Sequence, residues 1–232
     1  MKKKFALGAA LVLIAAVTLT SVSPANAQGA GLVSSIFNKM ERNRRDLRSL
    51  RASISMEKYN AQIHDSDKRT GTVIYLPGAA RNDAYVRVDW KSPVQEILAV
   101  AGGQYTLFSP RRNMAWVGST ASKNAKVSSV LGFGLNASAA QLKSAYDVQD
   151  VYNETLWGGA QTTHMKLVPK GSASFQYEEI WVDGAGMPLQ TKVVEKNGDA
   201  TTVRLMNVER NASVARGDFK LDLGSDVKKV RG

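Results

Sequence analysis

GTVIYL at residues 71–76 and YVRVDW at residues 85–90 are two short segments in which the side chains alternate in character. In the second segment, Val86, Val88 and Trp90 share one face, and the residues between them share the other. Because successive side chains of a β-strand point to opposite faces of its sheet, both segments predict half-buried strands. A proline-containing turn sequence follows each of them.

The same alternation recurs along most of the chain. Turn residues separate the segments, and Asp183-Gly184 and Asn197-Gly198 are typical of tight hairpins. Many short strands at regular spacing favour a mainly β fold with an antiparallel sandwich or barrel. The predicted strands are 52–57, 71–76, 85–90, 95–100, 105–108, 113–117, 147–152, 161–167, 175–182, 191–196, 201–209 and 219–223.

Two segments have helical rather than strand character. Apolar residues recur at helical spacing over 32–50, which predicts an amphipathic helix. Residues 120–145 are rich in Ser, Ala and Gly, and they predict a loop followed by a short helix over 137–145. This insertion could serve as a mobile lid or as a helix that plugs the sheet, and the pattern leaves both open.

The N-terminus has the organisation of an export signal. Three lysines follow Met1, an apolar stretch runs to Thr20, and small residues occupy Ala25 and Ala27. This pattern predicts a secretory signal peptide, residues 1–27, that is cleaved after Ala27. The new N-terminus would be Gln28 rather than Cys, so we expect a periplasmic protein without a lipid anchor, made of a single domain over 28–232.

Charge and composition limit the partners. The net charge of +11 falls to +8 when the three lysines of the signal leave, which favours acidic partners or simple solubility. Export disfavours nucleic acid. The arginines between 42 and 51 could form a solvated face or a docking patch.

Few residues suggest chemistry. The chain has no cysteine and two widely separated histidines, His64 and His164. No zinc spacing, nucleophile elbow or nucleotide loop is found, so we expect no enzyme activity, no metal and no cofactor. A hydrolase with a Ser/His/Asp triad drawn from distant residues is an alternative. Glu178 and Glu179 are consecutive in a strand and should face opposite ways.

The order of the motifs resembles the LolA family of periplasmic lipoprotein carriers. That family has a strand of the form G-x-L-x-V ending at proline, an aromatic strand ending at proline, and an I-L-V-x-D-G strand. The matching stretches here are 71–77, 85–90, 93–102 and 105–110, followed by 167–170, 180–184 with Pro188, and 211–227. The resemblance covers nearly the whole chain after the signal.

The resemblance implies a half-open, strongly curved antiparallel β-barrel with helices over a concave apolar face that holds acyl chains. It also implies a monomer that receives acylated lipoproteins or related lipids from an inner-membrane lipoprotein-releasing transporter and delivers them to an outer-membrane acceptor. The expected lipid-binding residues are Val73, Tyr75, Val86, Val88, Trp90, Met114, Trp116, Leu131, Phe133, Leu135, Met165 and Leu167.

Some positions depart from the family pattern. The family has a basic residue before the proline of its first G-strand, where this chain has Leu76, and Arg81 is a possible substitute. The main alternative is a lipid- or lipoprotein-sensing regulator of the same fold. Regulators of that kind usually carry a further C-terminal domain, whereas this chain stops at Gly232. An anchored outer-membrane acceptor is disfavoured because Gln28 is not Cys.

Overall fold

The computed structural model describes residues 25–78, 84–120 and 138–231, with side chains from residue 31 onward. Two α-helices and twelve β-strands make up the described fold. They are α1 Ala25–Asp46, β1 Leu50–Asn60, β2 Asp65–Leu76, β3 Tyr85–Ser92, β4 Glu96–Ala101, β5 Gln104–Ser109, β6 Met114–Ser119, α2 Ala139–Ala145, β7 Tyr146–Leu156, β8 Ala160–Pro169, β9 Phe175–Asp183, β10 Pro188–Glu195, β11 Ala200–Arg210 and β12 Lys228–Arg231.

All twelve strands form one curved, unclosed sheet in the order β12-β6-β5-β4-β3-β2-β1-β11-β10-β9-β8-β7. Two meanders, β1 to β6 and β7 to β11, meet where β1 pairs with β11. Neighbouring strands are antiparallel except β12, which pairs in parallel with β6. The expected half-open, curved, mainly β fold is therefore confirmed.

Helix α1 lies earlier in the chain than expected. It ends at Asp46 rather than near residue 50, and its last backbone hydrogen bond runs from Leu47 N–H to the Asn43 carbonyl. The next backbone N–H, at Arg48, donates to Asn211 Oδ1 over 2.8 Å, and Ser49 Oγ donates to the Ala212 carbonyl. These bonds draw the chain away from the helix and into β1.

Most of the predicted signal peptide lies outside the described residues. Helix α1 begins at Ala25 and continues past Ala27. Cleavage after Ala27 stays a prediction, because the structure is that of the uncleaved chain. Within the described part of the chain, no helix has both the length and the apolar character needed to cross a membrane.

The C-terminal segment corrects the strand predicted at 219–223. Residues Arg216–Phe219 form a 3-10 turn instead. Phe219 is buried with its ring 5.5 Å from that of Tyr85, because packing on the sheet outweighs the local alternation. The last strand, β12, forms beyond this turn.

The β9–β10 hairpin, expected from Asp183-Gly184, holds α1 closely. Gly186 has φ +90°, and a Cβ atom there would lie 2.3 Å from the carbonyl carbon of Lys39. Only glycine combines that backbone conformation with so close an approach. The hairpin therefore seats the middle of α1.

Candidate functional site

One face of the sheet, here called the inner face, carries the apolar residues expected to bind lipid. Across neighbouring strands, Val73 pairs with Val88, which pairs with Leu98. The row continues through Leu107 to Trp116. Directly paired residues of neighbouring strands point to the same side, so this face is continuous from β2 to β6.

The structure brings seven of the expected residues together on this half of the inner face. Val73, Tyr75, Val86, Val88 and Trp90 belong to one apolar cluster, and none is more than 7 % exposed. Trp116 is partly buried and packs against the cluster. Met114 is also partly buried, and it lies on the same face because it is two residues before Trp116 in β6.

Met165 and Leu167 lie on the other half of the inner face. The register runs from Met165 to Ile180 and Thr191, and then through Val203 to Met56 of β1. Both residues are buried in a second cluster beneath the two helices. The helical members of this cluster are Ile36, Phe37 and Met40 of α1 and Leu142 of α2.

Leu131, Phe133 and Leu135 lie outside the described residues, as does Arg81. Their expected roles stay predictions. The helix expected at 137–145 is present as α2, which begins after the capping residue Ser138.

Sequence reasoning missed much of the inner face. Leu98, Val100, Tyr105 and Leu107 are buried in the same cluster as Val88. The sequence predicts the strands that carry these four residues, and apolar and polar residues alternate within those strands. Which face each strand turns inward depends on its register, which no local pattern reports.

A polar clasp joins the two helices at the edge of the inner face. Glu41 of α1 accepts hydrogen bonds from Arg44 Nη2 at 2.5 Å and from the Ala139 backbone N–H of α2 at 3.3 Å. The hydrogen bond from Arg44 is the main cause that lowers the pKa of Glu41. Helix α2 is thus held by this clasp and by the buried Leu142.

Glu178 is a partly buried carboxylic acid on the inner face. It pairs with Leu167 and alternates with Ile180 along β9. Desolvation by burial raises its pKa to about 7. Desolvation by burial also raises the pKa of Tyr146, and the charge of Glu178 adds to that rise. Burial thus makes Glu178 a weaker acid than an exposed glutamate. Glu96, opposite Trp90 on the same face, is instead paired with Arg69.

Glu179 faces the opposite way, as expected from the alternation. Its carboxylate lies 3.0 Å from Lys192 Nζ and 3.6 Å from Nε2 of the buried His164. His164 lies between the rings of Tyr152 and Trp181 on this outer face.

The second histidine has a separate environment. His64 is exposed and hydrogen-bonds to the hydroxyl of Tyr59 at 2.9 Å in the β1–β2 turn. Across residues 25–78, 84–120 and 138–231, no group of three or more His, Asp or Glu could hold a metal ion.

Comparison with solved structures shows the fold. A crystal structure of MucB matches with a TM-score of 0.58 and 15% identity, over 86% of this chain and 66% of that chain. The Pseudomonas aeruginosa MucA/MucB complex matches with a TM-score of 0.51 and 14% identity, over 85% of this chain and 63% of that chain. The chain thus spans about two thirds of the length of these MucB chains.

An uncharacterized conserved protein from Thermus thermophilus matches over nearly its whole length. Its TM-score is 0.53 at 14% identity, with 89% of this chain and 99% of that chain covered. No curated protein matches the chain.

The family comparison goes further than the fold. The family model described as "Outer membrane lipoprotein carrier protein LolA" matches residues 82–222, which is more than half of the chain. The match extends from β3 to the segment after β11, and so includes much of the inner face. The chain therefore belongs to the LolA family.

Proposed function

We propose that this protein is a periplasmic carrier that binds the acyl chains of lipoproteins, or related lipids, on its inner face. The observation that carries the proposal is the continuous apolar row from Val73 to Trp116 on one face of a curved sheet. Two helices pack on the other half of the same face. Shape and apolar area supply the binding, and we assign no catalytic residue.

The energetics explain why a carrier needs such a surface. Burial of one methylene group is worth about 0.8 kcal/mol, so an acyl chain of about sixteen carbons prefers an apolar site by roughly 12 kcal/mol. Free passage through water is therefore extremely slow. A face that is covered when empty and exposed for cargo avoids aggregation between deliveries.

The cover of the inner face is unequal. Phe37 of α1 is fully buried, and Gly186 seats the same helix closely. The described part of α2 has one buried side chain, Leu142. We propose that α2 is the part that moves when cargo enters.

The proposal also covers the export of the protein and its partners. Residues 1–27 act as a signal peptide cleaved after Ala27, and residues 28–232 form the working domain. The protein acts as a monomer between an inner-membrane lipoprotein-releasing transporter and an outer-membrane acceptor.

The alternative is a regulatory binding domain of the same fold. MucB has been solved in complex with MucA, so proteins of this fold also occur in complexes with a protein partner. In that case the inner face would sense lipid, and the bound state would alter the affinity for a protein rather than deliver cargo.

The decisive test identifies the molecules that co-purify with the protein. The mature chain is purified from a bacterial periplasm, and its organic extract and co-purifying proteins are analysed by mass spectrometry. We expect acylated species and saturable binding of a fluorescent fatty-acid probe. Absence of both would refute the proposal.

A matched pair of variants locates the binding face. Val88→Glu places a charge in the centre of the inner face, and we expect it to abolish probe binding. Val117→Glu places the same charge on the outer face of β6, beside Thr106, and should bind normally. Trp90→Glu provides a second inner-face variant, and circular dichroism confirms that each variant folds. Normal binding by both inner-face variants would assign the lipid to another surface.

A further inference from the structure

A cavity is lined by residues other than those of the inner-face row described above. It has a volume of about 620 Å³ and lies between the β7–β8 turn and the end of β11. This volume falls within the range of small-molecule sites. None of the twelve residues expected to bind lipid lines it in the described part of the chain.

Part of the cavity wall is apolar. Leu156 and Leu189 are buried, and Ala160 is partly buried beside them. Trp157 stands at the rim and is 83% exposed. The turn that carries Trp157 continues through two glycines with φ near +90°, Gly158 and Gly159. A large aromatic side chain is thus held in water next to an apolar pocket.

The other part of the wall carries two guanidinium groups. Arg210 is neutralised by Asp183, with Nη2 and Oδ2 2.5 Å apart. Asp183 also accepts hydrogen bonds from the backbone N–H groups of Ala185 and Met187. Arg204 donates from Nη2 to the Trp157 carbonyl, and no carboxylate among the described residues pairs with it.

Arg204 is also incompletely satisfied. Its Nε atom is buried, and no described residue accepts a hydrogen bond from it. A buried donor without an acceptor is costly, and charged donors cost the most. Arg204 also lines the cavity, and an oxyanion there would give its guanidinium group the charged partner that it lacks among the described residues.

The surroundings of the cavity add positive charge. Arg210 pairs with Leu50 at the start of β1. Arg48 and Arg51 lie on either side of that position, and both are exposed. Their contacts with Asn211 and Ser213 keep them at this end of the sheet. Glu209 lies opposite Arg51 in the register, so two acids, Asp183 and Glu209, face four arginines, Arg48, Arg51, Arg204 and Arg210, at this end. The remaining positive charge favours a negatively charged ligand near the cavity.

We propose that this cavity binds the anionic headgroup of a single-chain phosphate amphiphile. The phosphate oxygens accept hydrogen bonds from Arg204, and the first carbons of the chain pack against Leu156, Leu189 and Trp157. Leu156 and Leu189 belong to the same apolar cluster as Val88, but no residue of the row from Val73 to Trp116 lines the cavity.

The test uses the mature chain with Val88→Glu as background, so that the inner face is blocked. Calorimetric titration compares dodecyl phosphate, the neutral dodecyl maltoside and inorganic phosphate. We expect dodecyl phosphate to bind at least about tenfold more tightly than either of the others. It alone offers both a phosphate for the arginine and an alkyl chain for the apolar wall. Equal binding of dodecyl maltoside would overturn the role of charge, and equal binding of inorganic phosphate would overturn the role of the chain.

Three variants test whether the ligand binds in this cavity. Arg204→Gln should weaken dodecyl phosphate binding by about tenfold or more. Trp157→Ala, at an exposed position where folding is not at risk, should weaken it severalfold. Arg111→Gln removes an exposed arginine at the opposite end of the sheet and should change nothing.

The indole NMR signal of Trp157, identified by its loss in Trp157→Ala, should shift when dodecyl phosphate is added. Unchanged affinity in both Arg204→Gln and Trp157→Ala would refute the site. Because the inner face is tested by the fatty-acid probe and Val88→Glu, either proposal can fail without the other.

Discussion

Glu178 shows how a single residue can couple the inner face to pH. Its carboxyl group lies among Leu167, Ile180 and Tyr146, where burial raises its pKa to about 7. The folded protein holds this proton between about pH 4.5 and 7, whereas the unfolded chain releases it. The stabilisation is therefore complete below about pH 4.5 and is lost as the pH rises through 7.

The variant Glu178→Gln tests this coupling. We expect wild-type stability to fall between about pH 4.5 and 7, and the variant to remove that part of the slope. Above about pH 7 the variant should be more stable by up to about 3 kcal/mol. Urea denaturation at several pH values measures the effect.

The control for this prediction is Gln176→Ala on the same strand. It removes no titratable group, so the pH slope should remain as in the wild type. A slope that persists unchanged in Glu178→Gln would show that another group is responsible.

At the scale of the elements, α2 is held by a single buried side chain. Leu142 is its buried residue, and a capping box formed by Ser138 and Gln141 holds its first turn. Leu142→Ala should lower the free energy of local opening by about 2–5 kcal/mol. Hydrogen exchange at the amides of residues 142–145 should then accelerate, and the fatty-acid probe should associate faster.

The matched control is the next residue. Lys143 is exposed, so Lys143→Ala changes the same helix without altering its packing. Exchange and association rates should stay close to the wild type. Faster exchange in Leu142→Ala without faster association would show that α2 opens but does not control entry.

At the scale of the whole molecule, access to the inner face depends on whether α2 can move relative to α1. The clasp between Glu41 and Ala139 marks where they meet, and the chain has no cysteine of its own. Glu41→Cys with Ala139→Cys can therefore be joined by a short bismaleimide. We expect the tied protein to bind the fatty-acid probe at least about tenfold more slowly.

The same double variant treated with a monofunctional maleimide is the control. It carries the same substitutions and similar added mass, but its helices are free to separate. Equal association rates for the tied and untied proteins would rule out movement at this contact as the gate.

Local patterns were sufficient for most of the strands and for the mainly β class, whereas the half-open curved sheet was what the family resemblance implied. Alternation in 85–90 and in 175–182 predicted β3 and β9, because a half-buried strand needs one apolar face. The strand predicted at 219–223 failed because the burial of Phe219 against Tyr85 depends on a distant part of the chain.

The sequence by itself determined a mainly β, cysteine-free chain of the LolA type, with an apolar face built from residues such as Val86 and Val88. Only the tertiary structure decided which strands share that face, where α1 ends, and that Glu178 lies among apolar side chains. It also decided that Arg204 and Trp157 meet at one cavity. The physical reason is that periodicity is a property of neighbours in the chain, whereas register, desolvation and cavity walls arise from residues far apart in it.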